Sequence, residues 1–353
     1  MKIQTLNLTN YRNHLSLKIK FDSELITIIG PNGAGKTNIL ESIHLLSTGK
    51  SPRTKYDVDL INYEKSFCTI NSKVHANEND FELEMQIIRE EETEHSSIKK
   101  VKVNKVSKTM HYFCGLFTSV LFMPEDIQLI TGSPSERRRY IDAVLIQIDT
   151  NYKRTLNSYT KAIKQRNKVL EKINREGRGW DEIDYWTDQT LRSGKILQEK
   201  RYEMFENMQI FLEKNSKLLN GATEVLIRYK RNELNRERLE KYRDREIAAK
   251  ATLIGPHRDD FEIYLDEHNV AEFGSRGQQR SVILALKLSE IELIEKEKGE
   301  RPVLLLDDIF SELDEKHQKA VLSVIGNQQT IVTSTENLDF LPEKNLQKIS
   351  VGP

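Results

Sequence analysis

Gly30-Pro31-Asn32-Gly33-Ala34-Gly35-Lys36-Thr37 sets the reading of the whole chain. It fits the pattern G-x-x-x-x-G-K-[ST], with the β-branched run Ile26 to Ile29 before it and apolar residues at Ile39, Leu40, Ile43 and Leu46 after it. A strand, a glycine-rich turn and a helix are predicted in that order. Glycines let the backbone curl until successive N–H groups point inward at phosphate oxygens, and the start of the helix adds partial positive charge. Lys36 is expected to bridge the β- and γ-phosphates, and the Thr37 hydroxyl to ligate Mg²⁺. An ordinary Gly-rich turn is the competing reading, and eight agreeing positions in the right context weigh against it. A nucleoside triphosphate is the expected ligand.

The partner carboxylates lie far downstream. Val303-Leu304-Leu305-Leu306-Asp307-Asp308 reads as a buried strand ending in two acids, the place where a parallel α/β sheet presents ligands. Asp307 is expected to hold Mg²⁺, and Asp308 to orient or deprotonate an attacking water. A helix N-cap is the bland alternative for the pair. Nothing resembles the N-K-x-D base-reading motif of GTPases, so adenine is the expected base and ATP the expected nucleotide.

The chain has 353 residues, 54 Lys or Arg against 54 Asp or Glu, and 37% hydrophobic residues. That is ample for a self-standing core and too polar for a membrane protein. No apolar run approaches the ~18–20 residues that cross a bilayer, and Met1 to Lys20 carries no signal-peptide core. Cys68 and Cys114, the only cysteines, are expected as buried small hydrophobes in a reducing cytoplasm.

Further strands are predicted at Met1 to Leu8, Phe81 to Ile88, Phe261 to Leu265 and Thr330 to Thr333, and helices at Arg276 to Lys298 and Glu315 to Ile325. Lys99 to Lys108, KKVKVNKVSK, reads as a solvated edge strand or the wall of a basic groove. From Ser133 to about Lys250 the chain is polar and helix-prone, broken at Gly177 to Gly179 and at Asn220-Gly221, with a packing stripe at Trp180, Ile183, Trp186, Thr190 and Leu191. Residues 151–250 hold 24 Lys or Arg against 16 Asp or Glu, an excess of 24 − 16 = +8. The expected fold is α/β, with 1–132 and 251–353 forming one discontinuous ATPase domain and 133–250 a mostly helical insertion.

Gly274-Ser275-Arg276-Gly277-Gln278-Gln279-Arg280 opens the helix that precedes Asp307. Alone it would mean a capped helix. With the two motifs above it resembles the signature loop of ATP-binding-cassette ATPases, and Ser311-Glu312-Leu313-Asp314 is similar to the loop that crosses the dimer interface in that class. Several more segments run through the chain: Leu8 to Asn13, Met123-Pro124-Glu125-Asp126, Gly132 to Asp142, and Gly255-Pro256-His257-Arg258-Asp259-Asp260. Together they resemble, over nearly the full length, the RecF family of DNA replication and repair proteins, related to SMC-type ATPase heads.

The resemblance implies an SMC-head-like P-loop ATPase domain with an inserted helical lobe, too short here for an SMC-like arm. It implies a cytoplasmic ATPase whose ATP-dependent homodimer binds single- and double-stranded DNA and gapped junctions. It also implies that the dimer helps recombinase loading with RecO and RecR. Arg12 and Asn13 would lie near the nucleotide, and Glu125 in the loop that senses Mg²⁺ and γ-phosphate. Ser275, Arg276, Gly277 and Gln278 would act on the partner subunit's nucleotide, with Asp314 at the interface.

Two positions depart from the cassette pattern. Asp308 stands where Glu is usual, and Thr333-Ser334-Thr335 stands where transporter ATPases have His. Both suit slow turnover. Lys153, Arg154, Lys161, Lys164, Arg166 and Lys168 could line a phosphate-tracking surface or a merely solvated helix face. At least one of Arg137, Arg138 and Arg139 should face inward, since consecutive helix residues point in different directions. His257 and Asp259 are expected in a structural turn. The competing functions are the ATPase subunit of a membrane transporter, which would want the missing His, and a small-molecule kinase, which has no use for Ser275 or Asp314.

Overall fold

A computed structural model describes residues 1–90, 95–220, 224–311, 313–342 and 345–352. Glu312 of the interface loop and Gly221 of the second expected break lie outside the described residues.

Strands and helices are numbered in chain order. Six strands form an antiparallel sheet: β1 (Lys2–Tyr11), β2 (His14–Lys20), β4 (Phe67–Ala76), β5 (Asn79–Arg89), β6 (Ser97–Val103) and β7 (Val106–Lys108), in the order β2-β1-β4-β5-β6-β7. A second, fully parallel sheet holds β3 (Leu25–Ile29), β8 (Ser119–Phe122), β12 (Val303–Asp307), β13 (Thr330–Ser334) and β14 (Leu346–Ser350), in the order β14-β3-β13-β12-β8. Helix α1 (Lys36–Thr48) is buried along nearly its whole surface, as a helix lying between two layers must be. Strand periodicity divides the core: Val303 and Leu305 pack with α1 and the antiparallel sheet, while Leu304 and Leu306 pack into the helical side.

Two short helices, α2 (Met110–Phe113) and α3 (Gln128–Thr131), flank β8. Then come α4 (Pro134–Ile148), α5 (Thr150–Glu176), α6 (Trp180–Asn220) and α7 (Arg236–Ala249). Between α6 and α7 runs β9 (Val225–Lys230), which pairs with β10 (Asp260–Leu265) beside β11 (His268–Asn269). This small sheet crosses residue 250. The chain closes with α8 (Val270–Phe273), α9 (Arg276–Lys298) and α10 (Glu315–Val324).

Lys99 to Lys108 is a hairpin rather than one strand, because Asn104 and Lys105 take left-handed φ of 50° and 66° and turn the chain. Its β7 forms the sheet edge, and Lys99 and Lys102 are paired with Asp57 and Glu84. Along α6, Ile183 and Thr190 are buried but Trp180 is 47% exposed. Both cysteines are free and buried.

All three consecutive arginines are tied down. Arg137 pairs with Asp260, Arg138 donates to the Asp259 carbonyl and Arg139 to the Pro52 carbonyl. Behind them Arg201, buried on α6, donates to Tyr152 Oη, the Pro256 carbonyl, Asp259 and Asp142. His257 is held between Tyr159 Oη and the Thr252 carbonyl, so the Pro256–Asp259 turn is a fastening between helices.

Candidate active site

The parallel sheet delivers the site residues at the carboxyl ends of its strands. β3 leads into the phosphate loop, and Gly33 and Gly35 take φ of 84° and 88°, values that L side chains avoid. A Cβ on Gly35 would lie 2.4 Å from His14 Nε2 and 2.5 Å from Asn13 Oδ1, while one on Gly33 would meet nothing within 4 Å. The β1–β2 hairpin thus closes against one flank of the loop and leaves the other open. Lys36 Nζ donates to the Gly30 and Pro31 carbonyls at 2.7 and 3.0 Å, which places its charge at the mouth of the loop.

Asp307 ends β12, one residue before the sheet edge turns. Thr37 Oγ1 donates to Asp307 Oδ1 at 3.0 Å, and Thr333 Oγ1 donates to the same oxygen at 2.7 Å. Burial pushes the Asp307 carboxyl above the usual range, against the pull of those two hydroxyls. Asp308 follows at φ 49°, a left-handed backbone at a non-glycine residue. Its N–H donates to Thr333 Oγ1, and its carbonyl accepts from Ser311 Oγ. Such strain persists only where the surroundings over-determine it. Burial raises the Asp308 carboxyl, and Lys36 opposes that shift.

Of the two residues that the resemblance puts near a nucleotide, Asn13 touches the phosphate loop and Arg12 the helix that follows it. Asn13 Nδ2 donates to the Gly33 carbonyl, and Arg12, at φ 52°, forks onto the fully buried Glu41 of α1 at 2.8 and 3.1 Å. Glu41 also accepts from Ser51 and pairs with Arg53, whose guanidinium lies close enough to Asp307 to lower its carboxyl. Sequence reading missed Glu41, Ser51 and Arg53. A carboxylate on the buried face of the phosphate-loop helix was the available signal, since a buried charge needs a partner.

Glu125 is exposed after β8 and carries a charge felt at Asp307. Its neighbour Asp126 pairs with Lys287, a buried lysine of α9 that also donates to the Leu121 carbonyl at 2.9 Å. The loop after β8 is thereby pinned to α9.

Ser275 caps α9: its Oγ accepts from Gln278 N–H, and Gln278 Oε1 accepts from Ser275 N–H at 2.8 Å. Ser275, Arg276, Gly277 and Gln278 are all exposed, and a Cβ on Gly277 would meet nothing within 4 Å. Asp314 caps α10 and accepts from His317 Nδ1, while His317 Nε2 meets Ser281 Oγ of α9. Signature helix and interface loop are therefore fastened together. The structure brings Lys36, Thr37, Asp307, Asp308 and Thr333 into one cluster and leaves Ser275 to Gln278 outside it.

Residues 2–351 match the family described as RecF/RecN/SMC N terminal domain. The chain is 34% identical to a DNA replication and repair protein RecF of Exiguobacterium sp., over 99% of this chain and 96% of that one. It is 36% identical to the RecF of Bacillus thuringiensis (strain Al Hakam), over 99% and 95%. Among solved structures, the recombination mediator protein RecF with ATP superposes with a TM-score of 0.86 at 32% identity, over 96% of this chain and 92% of that one. An Smc head domain from Pyrococcus furiosus gives 0.51 at 17% identity over 95% and 89%, a likeness of fold alone. By both sequence and structure, the chain belongs to the RecF family of the RecF/RecN/SMC proteins.

Proposed function

We propose that this chain is a cytoplasmic, ATP-dependent DNA-binding protein of recombinational repair, in which ATP drives dimerisation on DNA and slow hydrolysis resets the dimer. The observation that carries this reading is the division of the site. Phosphate loop and acids gather at one end of the parallel sheet, whereas Ser275, Arg276, Gly277 and Gln278 stand exposed, the Ser275 and Gln278 side chains bonded within their own cap. Residues 133–250, with the strands β9 pairs to, are read as a second lobe on an ATPase domain formed by 1–132 and most of 251–353. The family's RecF–ATP structure supports ATP as the nucleotide, and the pathway named with it supports DNA, RecO and RecR as partners.

Gly30 to Thr37, with Arg12 and Asn13 beside them, would cradle the phosphates, and Lys36 would hold the terminal ones. The donor set fits Mg²⁺: the Thr37 hydroxyl and Asp307 carboxylate are hard oxygens already brought within 3.0 Å of each other. The ion would supply charge neutralisation at the phosphates. Asp308 would accept a proton from water as the water oxygen bonds the γ-phosphorus and the bond to the β-bridging oxygen breaks. Its carboxylate is one methylene shorter than the usual Glu, which supports slow turnover. Glu125, in the loop after β8 and with its charge felt at Asp307, would sense Mg²⁺ and the γ-phosphate.

Sedimentation with Mg²⁺, with and without ATP and gapped duplex DNA, tests the reading. Wild type should dimerise with ATP and bind DNA more tightly, while Ser275→Arg binds ATP and stays monomeric. A wild type that remains monomeric throughout overturns the role of Ser275 to Gln278 on a second chain.

A further inference from the structure

Helix α5 carries eight Lys or Arg against two acids, and the structure sorts them. Arg166 is removed from any surface role: it is 3% exposed, paired with Glu246 and bonded to Thr187 and Thr252. Lys172 and Arg175 pair with Glu182 and Glu171. Arg154, Lys161, Lys164 and Lys168 are exposed, and among the described residues none has an acidic partner. Three of them recur at seven-residue spacing, so they share a face and span about 21 Å of helix. Some exposed cations elsewhere are matched, as in Lys2–Glu24, Lys200–Glu203 and Lys230–Glu262, and others, such as Lys18 and Lys73, stand singly; on α5 four unmatched ones lie on one helix.

Beneath the start of that face lies Lys153, 5% exposed and without an ion-pair partner among the described residues. Burial pushes its ammonium below the usual lysine range, and the charges of Lys50 and Lys99 push it the same way. Lys99 is neutralised by Asp57, but Lys50 is exposed and has no ion-pair partner among the described residues. Lys50 directly follows α1 and its Gly49 cap, so the row of cations joins the insertion to the phosphate-loop helix. Unmatched cations gathered on one helix make a local positive stripe in a protein of zero formal net charge.

We propose that Lys50, Arg154, Lys161, Lys164 and Lys168 form a track for a nucleic-acid phosphate backbone, running from the end of α1 along the outer face of α5. This rests on the DNA-binding reading above and assigns the surface that carries it. The contacts are to phosphate, so binding is insensitive to base sequence and steeply salt-dependent.

The test is the salt dependence of binding to a labelled 30-base-pair duplex and to one of its single strands, with ATP and Mg²⁺, at 50–200 mM NaCl. The variant is the full chain with Arg154, Lys161, Lys164 and Lys168 each changed to Gln. If all four touch phosphates, the slope of log K against log salt becomes shallower by up to about 3.6 on duplex, or about 2.8 on single strand. The arm that loses the larger share of its own full value identifies the strand state the track fits. ATP-dependent dimerisation without DNA should be unchanged. Lys18→Gln/Lys73→Gln, on exposed positions of β2 and β4, should keep the wild-type slope. A quadruple variant within 0.5 of the wild-type slope, or an equal loss in the Lys18/Lys73 control, overturns the track. Wild type that binds no nucleic acid in any nucleotide state overturns the DNA-binding reading as well.

Discussion

The two halves of the candidate site, the phosphate-loop end of the parallel sheet and the exposed start of α9, are built on opposite plans. Around the phosphate loop most of the site's polar side chains are answered within the chain: Thr37 and Thr333 by Asp307, Arg12 and Arg53 by Glu41, Asn13 by the Gly33 carbonyl. Around Ser275 the chain answers only the helix end, through a capping box, and leaves Arg276 to Gln278 facing outward. Burial and closure make the first half rigid before any ligand arrives. The second half is fixed in backbone by its cap and exposed in its side chains, which is what the proposed dimer would use.

The sharpest way to separate the halves is to remove the base and leave everything else. Asp308→Asn keeps the size and the left-handed backbone, which Asn tolerates, but cannot accept a proton. Hydrolysis should fall by about 10²–10⁴-fold, with ATP affinity and dimerisation retained, as read by steady-state phosphate release and sedimentation on the same sample. Loss of dimerisation in parallel would show that Asp308 serves the second half too.

The first half was legible because its chemistry is local in sequence. Eight consecutive residues make the phosphate loop, and Val303 to Asp308 is a strand whose end is marked by acids. Arg276 to Lys298 was legible too, its serine cap and glycine stop being local signals. What escaped depends on closure between distant segments. Arg53 finds Glu41 through a turn of irregular backbone, and β9 sits in a polar stretch that reads as helix until β10 pairs with it. Lys153 and Arg166 looked like surface cations because charge alone does not say which face of a helix packs. Their burial follows the spacing of Tyr152, Leu156, Tyr159, Ala162 and Val169.

A smaller effect probes how well the first half is held. Thr333 Oγ1 donates to Asp307 and accepts from the Asp308 N–H, so one hydroxyl positions both acids. Thr333→Val keeps the shape and removes the hydroxyl. A hydrogen bond to a charged group is worth about 1.5–3 kcal/mol, which corresponds to a loss of roughly 10–150-fold if spent wholly on the transition state. The reduction should fall on kcat rather than on KM for ATP, because neither hydroxyl contact faces the phosphate loop. Thr333→Ser should recover most of the rate. An unchanged kcat in Thr333→Val would mean that β13 contributes only packing.

The smallest expected effect is on stability, and two buried histidines report it, one in the phosphate-loop half and one in the fastening between helices. His44, on α1 beneath the phosphate loop, is pushed down to about 3 by burial, reinforced by Lys287. His257, in the turn before β10, is pushed down to about 4, mainly by burial, with Arg258 and Arg138 adding to it. Tyr159 Oη donates to His257 Nδ1 in the neutral ring, and Nε2–H donates to the Thr252 carbonyl. Both rings are neutral when folded at any pH where the unfolded chain begins to protonate, near the ordinary value of 6.5. Their contribution to stability is therefore complete above 6.5 and is lost as pH falls through 5 towards 4, at about 1.4 kcal/mol per pH unit for each ring. His257→Gln offers an amide that can donate to Thr252 and accept from Tyr159 but does not titrate. Its thermal midpoint should lie at or below wild type at pH 7.5 and fall less than wild type between pH 6.5 and 5. Parallel curves for the two proteins would mean that the Pro256–Asp259 turn does not stay closed around a neutral ring, and that acid loosens the phosphate-loop half alone.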